Sequence, residues 1–384
     1  MRNASGVKRP YLKGLLLIMS QPRIANLAQL AAHAHLDGIA LLPGANLRYF
    51  TGLSFHLSER PIVALFPPVG QPALILPAFE ASQTARSPLA WRTFTYVDGQ
   101  DPLEAFQAAS EAVGLRGTRI GVEALKVRVR ELRLLQAAAP GAVCEDADEL
   151  IASLRLIKDQ TEIAALRRAI RITEQALDDV CGVIRAGLTE RQVATELRIA
   201  LLRRGAESMA FEPLIQSGPN AALPHLAPTE RVIQSGEGVL LDFGITVEGY
   251  TSDLTRTLAV GEPSAEFQQI YEVVKQANAA GRAAARPGAT GQDLDRATRQ
   301  VIIEAGFGPY FTHRTGHGLG LESHEPPYLV EGNTAPLAAG NTFTIEPGIY
   351  LPGVGGVRIE DDVLITEDGA ESLTTYDREL RVVG

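Results

Sequence analysis

An internal repeat in the second half of the chain restricts its fold more than any other feature of the sequence. The segment AGLTERQVATELRIALLRRGAE matches the later segment PGATGQDLDRATRQVIIEAGFG. Gly187 then corresponds to Gly288 and Gly205 to Gly306, and each pair is separated by 101 residues. Two amphipathic helices can look alike by chance, but glycines matched at both ends make chance the weaker explanation. We therefore predict two similar halves, each with two helices followed by strands, related by a pseudo-twofold axis.

Each predicted half contains two acidic residues within apolar, strand-like runs. They are Asp242 in LLDFGITV, Asp253 in YTSDLTRT, Glu346 in FTIEPGIY and Glu360 in VRIEDD. A side chain in the middle of an apolar strand faces the core, where an unpaired carboxylate is costly. The four carboxylates therefore need a neutralising partner.

Two kinds of partner fit these acids. Carboxylate ligands suit a pair of divalent ions, with manganese preferred and cobalt or zinc as alternatives. The metal-free alternative is ion pairing with Arg256 and Arg358, which can satisfy about two of the four carboxylates.

A histidine-rich segment, THRTGHGLGLESHE at residues 312–325, carries His313, His317 and His324. Two histidines four apart on a helix can bind zinc, but each glycine among them costs a helix interior about 1 kcal/mol. We therefore predict an extended, closely packed segment. Imidazole binds metals and titrates near neutrality, so the segment suits a metal site or acid/base chemistry. A polar loop with neither role is the remaining alternative.

The first part of the chain has a different pattern. Short β-rich runs separated by Pro/Gly turns alternate with helical segments, which predicts an α/β domain over residues 19–153. It contains no glycine-rich nucleotide loop. A helix-start pattern at Asp159 opens the second predicted domain, residues 154–384. Residues 1–18 are basic and then briefly apolar, but they lack the length and cleavage site of a signal peptide, so we expect an extension of doubtful function.

Composition excludes several classes of protein. Hydrophobic residues make up 45% and charged residues 21%, and no apolar run approaches the length of a membrane span. The net charge of −9 disfavours a nucleic-acid partner. Cys144 and Cys181 are too few for a disulfide framework, which is typical of a reducing, cytoplasmic compartment.

The motifs DFG…YTSDLTRT, GHGLGLESHE, TIEPGIY and VRIEDD occur in the order found in the pita-bread metallopeptidases. The chain resembles the branch of that family that contains prolidase and aminopeptidase P. NLRYFTGL at residues 46–53 is similar to the creatinase-type amino-terminal domain. The resemblance implies an α/β plus α+β architecture, with a creatinase-type domain followed by a pita-bread catalytic domain with pseudo-twofold halves.

The resemblance also implies roles for individual residues. Two divalent ions are expected, with the ligands Asp242, Asp253, His317, Glu346 and Glu360. Asp253 and Glu360 are expected to bridge both ions. Glu346 is further expected to carry a proton to the leaving nitrogen. The remaining catalytic residues implied by the family pattern are His225, His313, His324 and Arg358.

The function implied is that of a homodimeric Xaa-Pro dipeptidase acting on a small peptide with proline in second position. Aminopeptidase P action on longer Xaa-Pro-Yaa peptides and a non-catalytic peptide-binding module are the alternatives. Family prolidases carry an arginine for the substrate carboxylate after the HE motif, but residues 325–346 contain no Arg or Lys. Arg48 and Arg378 are the candidates for that role. We expect Asp293 and Asp295 to lie on a solvated helix face.

Overall fold

The computed structural model of the protein describes residues 10–384, with side chains from residue 22 onward. Of the predicted extension, residues 1–18, residues 1–9 lie outside the described residues. Only the backbone is described for residues 10–18. The chain divides into two compact units, the first ending at Leu154 and the second spanning Arg155–Gly384. None of the helices in the described part of the chain has both the length and the apolar character needed to cross a membrane.

The first unit is built on a six-stranded mixed sheet in the order β4-β3-β2-β1-β5-β6. Its central strands are apolar and fully buried, as expected for a sheet covered on both faces. Phe106 of the helix Leu103–Val113 and Leu135 of the helix Val129–Ala138 pack on one face of the sheet. The elements are α1 Pro10–His33, β1 Gly38–Leu41, α2 Ala45–Thr51, β2 Val63–Phe66, β3 Ala73–Pro77, β4 Arg92–Tyr96, α3 Leu103–Val113, β5 Arg119–Val122, α4 Val129–Ala138, β6 Val143–Asp146 and α5 Asp148–Ser153. A 3₁₀ helix, Ala78–Arg86, connects β3 to β4.

The second unit contains four long helices and several sheets, whose strand pairs are antiparallel apart from one parallel pair between Leu254–Val260 and Val382–Val383. Its helices are α6 Gln160–Cys181, α7 Glu190–Arg204, α8 Ala265–Ala284 and α9 Gly291–Glu304. Its strands are β7 Ser208–Met209, β8 Leu214–Ser217, β9 Glu237–Phe243, β10 Ile245–Val247, β11 Tyr250–Thr251, β12 Leu254–Val260, β13 Gly316–Gly318, β14 Glu325–Leu329, β15 Thr342–Ile345, β16 Gly348–Leu351, β17 Gly355–Arg358, β18 Asp361–Ile365, β19 Ala370–Ser372 and β20 Val382–Val383. Two short 3₁₀ helices, Gly218–Ala222 and Gly308–Tyr310, complete it.

The repeat seen in the sequence is also a repeat of structure. Thr189 and Thr290 each begin a helix with a capping box, in which the threonine hydroxyl accepts a hydrogen bond from the third helical N–H. Just before these caps, the N–H groups of Gly187 and Gly288 donate to carbonyl oxygens at 3.0 and 2.8 Å. The same backbone geometry at matched positions supports the prediction of two similar halves.

Strand pairing in each half brings two acidic residues close to one another. In the first half, β9 pairs antiparallel with β12, so that Asp242 lies opposite Thr255 and close to Asp253, which directly precedes β12. In the second half, β15 pairs antiparallel with β18. Glu346 directly follows β15 and Glu360 directly precedes β18. A short hairpin separates the paired strands in both halves, β10–β11 in the first and β16–β17 in the second.

Candidate metal centre

All five predicted metal ligands line a single cavity of about 760 Å³ in the second unit. The predicted catalytic residues His225, His313, His324 and Arg358 line it as well. The rest of the lining consists of Ala210, Phe211, Leu214, Arg314, Glu322 and Ser323. The five predicted ligands and these four predicted catalytic residues therefore surround one space.

The segment that carries His317 is extended, as predicted, because it lies between two other strands. β13 pairs with β14 on one side and β15 on the other. A Cβ atom at Gly316 would approach the carbonyl oxygen of Thr344 to 1.9 Å, and one at Gly318 would approach that of Pro326 to 2.2 Å. Only glycine fits at these two positions. The glycines therefore allow the backbone of His317 to pack deep inside the sheet.

His317 turns one ring nitrogen toward the acids. Its Nδ1 lies 3.1 Å from the carbonyl oxygen of Gly318, an acceptor that requires the proton on Nδ1. Nε2 is then free of a proton, and it lies 3.3 Å from Glu346 Oε1 and 3.8 Å from Asp253 Oδ2. Burial, together with the neighbouring His324 ring, holds the pKa of His317 well below its usual value. A neutral imidazole whose second ring nitrogen carries a lone pair and no proton is the form that binds a metal ion.

The acids of the cavity are crowded and largely unneutralised. Burial and then the charge of Glu360 raise the pKa of Asp253 well above its usual value, and burial with Glu346 does the same for Glu360. The pKa of Glu346 rises to about 7, chiefly through burial. Oδ1 of Asp242 and Oδ1 of Asp253 are buried and have no hydrogen-bond partner among the described residues.

This donor set fits divalent cations. Ligand atoms of Asp253, His317 and Glu360 all lie within 4.8 Å of one another, and all three residues are buried. Buried carboxylate oxygens without partners are rare in folded proteins, and a bound cation is one of the few groups that can satisfy them. The residues present therefore match the ions expected from the sequence.

Ion pairing with arginine accounts for only one of the four acids. Arg358 contacts Asp242 through Nη2, and its Nη1 donates to the Tyr350 hydroxyl at 2.7 Å. Arg256 instead donates to Asp361 Oδ1 at 2.8 Å and to backbone carbonyls. Asp253, Glu346 and Glu360 have no arginine partner in the described part of the chain. Within the described residues, the metal-free alternative therefore leaves three buried acids without an ion pair to arginine.

The three other histidines have different surroundings. His313 is held on both ring nitrogens, with Nδ1 2.8 Å from the Arg314 carbonyl oxygen and Nε2 2.8 Å from the Tyr350 hydroxyl. Burial and the charge of Arg358 lower its pKa to about 3. The ring of His324 lies beside that of His317, with centroids 3.9 Å apart. His225 is exposed at the cavity lining.

Sequence reasoning missed residues that support the site from a distance in sequence. Tyr350 links His313 to Arg358 through its hydroxyl. Thr255 accepts from Arg358 Nε at 3.1 Å and donates to Glu360 Oε2 at 2.6 Å. The sequence signal for Thr255 was its place two residues after Asp253 in one extended run, which puts both side chains on one face.

The prediction that Asp295 lies on a solvated face is wrong. Its side chain is buried, pairs with Arg299 at 2.9 Å and accepts from Thr315 N at 3.2 Å and Thr315 Oγ1 at 2.8 Å. The arginine four residues later in α9 was a signal for this, since positions i and i+4 are neighbours on a helix. Asp293 is exposed, as predicted, and caps α9.

The structure bears differently on the two arginines proposed to bind the substrate carboxylate. Arg378 donates through Nε to Asp361 Oδ2 at 2.7 Å and through Nη2 to Ser372 and Thr374, and it does not line the cavity. Arg48 belongs to α2 of the first unit, where it is half-buried. Its predicted role stays a prediction.

Comparison with known proteins gives consistent matches over nearly the whole chain. Residues 164–367 match the model of metallopeptidase family M24, and residues 23–157 match that of the creatinase/prolidase N-terminal domain. A probable dipeptidase PepE of Mycobacterium bovis is 39% identical over 366 residues, which cover 94% of this chain and 96% of that protein. A prolidase structure from Thermococcus sibiricus has a TM-score of 0.91 at 33% identity, over 95% of this chain and 99% of that one. An X-Pro aminopeptidase structure from Thermotoga maritima has a TM-score of 0.83 at 32% identity, over 94% and 99%.

Proposed function

The chain belongs to metallopeptidase family M24, and from that premise we propose that it is an Xaa-Pro dipeptidase that depends on two divalent metal ions. The observation that carries the proposal is the convergence of four acids and one imidazole on a single cavity, with buried oxygens of Asp242 and Asp253 left without partners. The probable dipeptidase and the prolidase among its relatives support the choice of substrate.

The proposed ligands of the two ions are Asp242, Asp253, His317, Glu346 and Glu360, with Asp253 and Glu360 shared. Four of the five donors are carboxylates, which favours Mn²⁺, with Co²⁺ and Zn²⁺ as alternatives. When bound, the ions supply a nucleophile at neutral pH by lowering the pKa of a water molecule, and they polarise the scissile carbonyl.

The chain's own residues then handle the proton and the substrate. Glu346 lines the cavity with its carboxylate, and we assign it the transfer of a proton from the attacking water to the leaving proline nitrogen. An Xaa-Pro bond has no N–H, so the substrate is recognised through its carbonyl oxygen. His225 and His324 lie at the exposed side of the cavity, where a ring N–H can donate to that oxygen.

His313 has a different role in this proposal from His225 and His324. Both of its ring nitrogens are already engaged, with the Arg314 carbonyl oxygen and the Tyr350 hydroxyl. It therefore has no free donor for substrate. We assign it to holding Tyr350, which in turn holds the guanidinium of Arg358 against Asp242.

Removal of metal tests the proposed chemistry. Dialysis against a chelator is expected to abolish hydrolysis of an Xaa-Pro dipeptide, and addition of Mn²⁺ or Co²⁺ is expected to restore it. Elemental analysis of the purified protein should give about two divalent ions per chain. Full activity in the metal-free protein would contradict the proposal.

Two other functions are alternatives to this proposal. Similarity to the X-Pro aminopeptidase favours aminopeptidase P action as the second candidate, and efficient hydrolysis of Xaa-Pro-Yaa tripeptides would establish it. A non-catalytic peptide-binding module would bind Xaa-Pro peptides without cleaving them. We further propose a cytoplasmic location, which cell fractionation can test, and a homodimer, which light scattering of the purified protein can test.

A further inference from the structure

Two arginines line the cavity, and their surroundings differ. Arg358 is committed to three groups, Asp242, Tyr350 and Thr255. Arg314 is half-buried, and its guanidinium carbon lies 4.6 Å from the centre of the Tyr328 ring. Within residues 22–384, no carboxylate forms an ion pair with Arg314. Arg314 is thus a cation in the cavity that is packed on an aromatic ring and has no ion-pair partner in the described part of the chain.

Strand register places this cation beside the metal centre. Tyr328 of β14 lies directly opposite His317 of β13. Residues opposite each other on antiparallel strands place their side chains on the same face, about 5 Å apart at Cβ. The ring of Tyr328 therefore supports the Arg314 guanidinium at the edge of the space occupied by the proposed ligands.

The other charges of the cavity already have partners. Glu322 is paired with Arg155, and Asp242 with Arg358. In the proposed function, two divalent ions balance the four ligand carboxylates, Asp242 among them, so the charges of Arg358 and Arg314 both exceed the negative charge of the centre. Arg358 stays held by Asp242, Tyr350 and Thr255, whereas Arg314 has no ion-pair partner within the described residues. An anionic group of the substrate is therefore the natural complement of Arg314.

We propose that Arg314 binds the terminal carboxylate of the dipeptide and thereby selects substrates by length. This inference rests on the proposed function, which it deepens. A guanidinium presents two parallel N–H donors that match a carboxylate, and stacking on Tyr328 restricts its orientation. The segment 325–346 lacks any Arg or Lys, and Arg378 is held by Asp361 away from the cavity lining.

The experiment compares three substrates with the same first residue: an Xaa-Pro dipeptide, its carboxy-terminal amide and an Xaa-Pro-Yaa tripeptide. The wild type, reconstituted with Mn²⁺, is expected to prefer the dipeptide to both others. Arg314→Gln is expected to raise KM for the dipeptide about 10- to 100-fold, the range for loss of a charge-assisted hydrogen-bonded pair. The dipeptide-to-amide ratio of kcat/KM should fall by a similar factor.

Matched variants separate this role from general damage. Arg314→Lys keeps the charge without the two-pronged geometry and should recover part of the preference. Arg296→Gln removes an arginine that is exposed on α9, 2.5 Å from Glu331 and outside the cavity lining, and should keep the wild-type ratio. Metal content and the thermal unfolding midpoint verify that each variant is folded and loaded.

The possible results distinguish a failure of this inference from a failure of the proposed function. An unchanged dipeptide-to-amide ratio of kcat/KM in folded Arg314→Gln and Arg314→Lys overturns the role of Arg314. A fall of this ratio in Arg48→Ala would instead assign the role to Arg48. Equal cleavage of all three substrates by the wild type overturns carboxylate selection but leaves the metallopeptidase intact. Failure of the Mn²⁺-loaded wild type to cleave any of them overturns the proposed function itself.

Discussion

Asp253 is buried next to several other acidic side chains, and their negative charges require a counter-ion. Its Oδ1 has no partner, its backbone N–H donates to Asp362 Oδ2 at 3.1 Å, and the nearby charge of Glu360 raises its pKa further after burial. As a proposed shared ligand, it would serve both ions. We therefore expect Asp253→Ala to lower the metal content below two ions per chain and to reduce kcat at least 100-fold, as measured by elemental analysis and steady-state kinetics.

Asp293 provides the matched control for this substitution. It is an exposed aspartate whose contacts are with Thr290 at the start of α9. Asp293→Ala should keep the metal content and kcat of the wild type and should lower the free energy of unfolding only slightly, because a solvent-exposed capping box is lost. Normal metal content and turnover in Asp253→Ala would show that Asp253 is not a ligand.

The position of β13 depends on a buried contact with α9. Asp295 accepts hydrogen bonds from both the backbone N–H and the hydroxyl of Thr315, and the Thr315 carbonyl accepts from the N–H of Glu346 at 2.8 Å. Arg299 adds hydrogen bonds to the carbonyl oxygens of Phe311 and His313. One helix thus fixes the residues leading to His317 together with the end of β15.

Replacement of Asp295 should therefore weaken both stability and catalysis. Asp295→Ala leaves the two Thr315 donors and Arg299 without their acceptor, which is expected to cost about 2–4 kcal/mol of unfolding free energy in urea titrations. Because His317 and Glu346 both adjoin this contact, kcat should fall about tenfold even at saturating Mn²⁺. A folded variant with wild-type kcat would show that α9 does not position the centre.

The sequence was most informative where a local rule was broken. Acids in apolar runs and glycines around His317 violate the usual patterns for strands, so the ligand positions and the extended segment were predictable. Tyr350 and Arg314 break no such rule, and for Asp295 the local i, i+4 spacing to Arg299 indicates an ion pair but not the contact with Thr315. Their roles depend on which helix face, strand register or aromatic ring they meet in the folded chain, and that information is not local in sequence.

The two halves of the second unit each contribute two acids to one centre, so bound ions should stabilise the unit as a whole. A ligand that binds only the folded state at 100 times its Kd adds about 2.7 kcal/mol. For a unit of this size, about 1 kcal/mol raises the midpoint by about 2–4 °C, so saturating Mn²⁺ should raise the calorimetric transition of residues 155–384 by about 5–10 °C. Asp253→Ala should lose most of this increase and Asp293→Ala should keep it. A transition that is insensitive to Mn²⁺ in the wild type would mean that the acids of the two halves do not share bound ions.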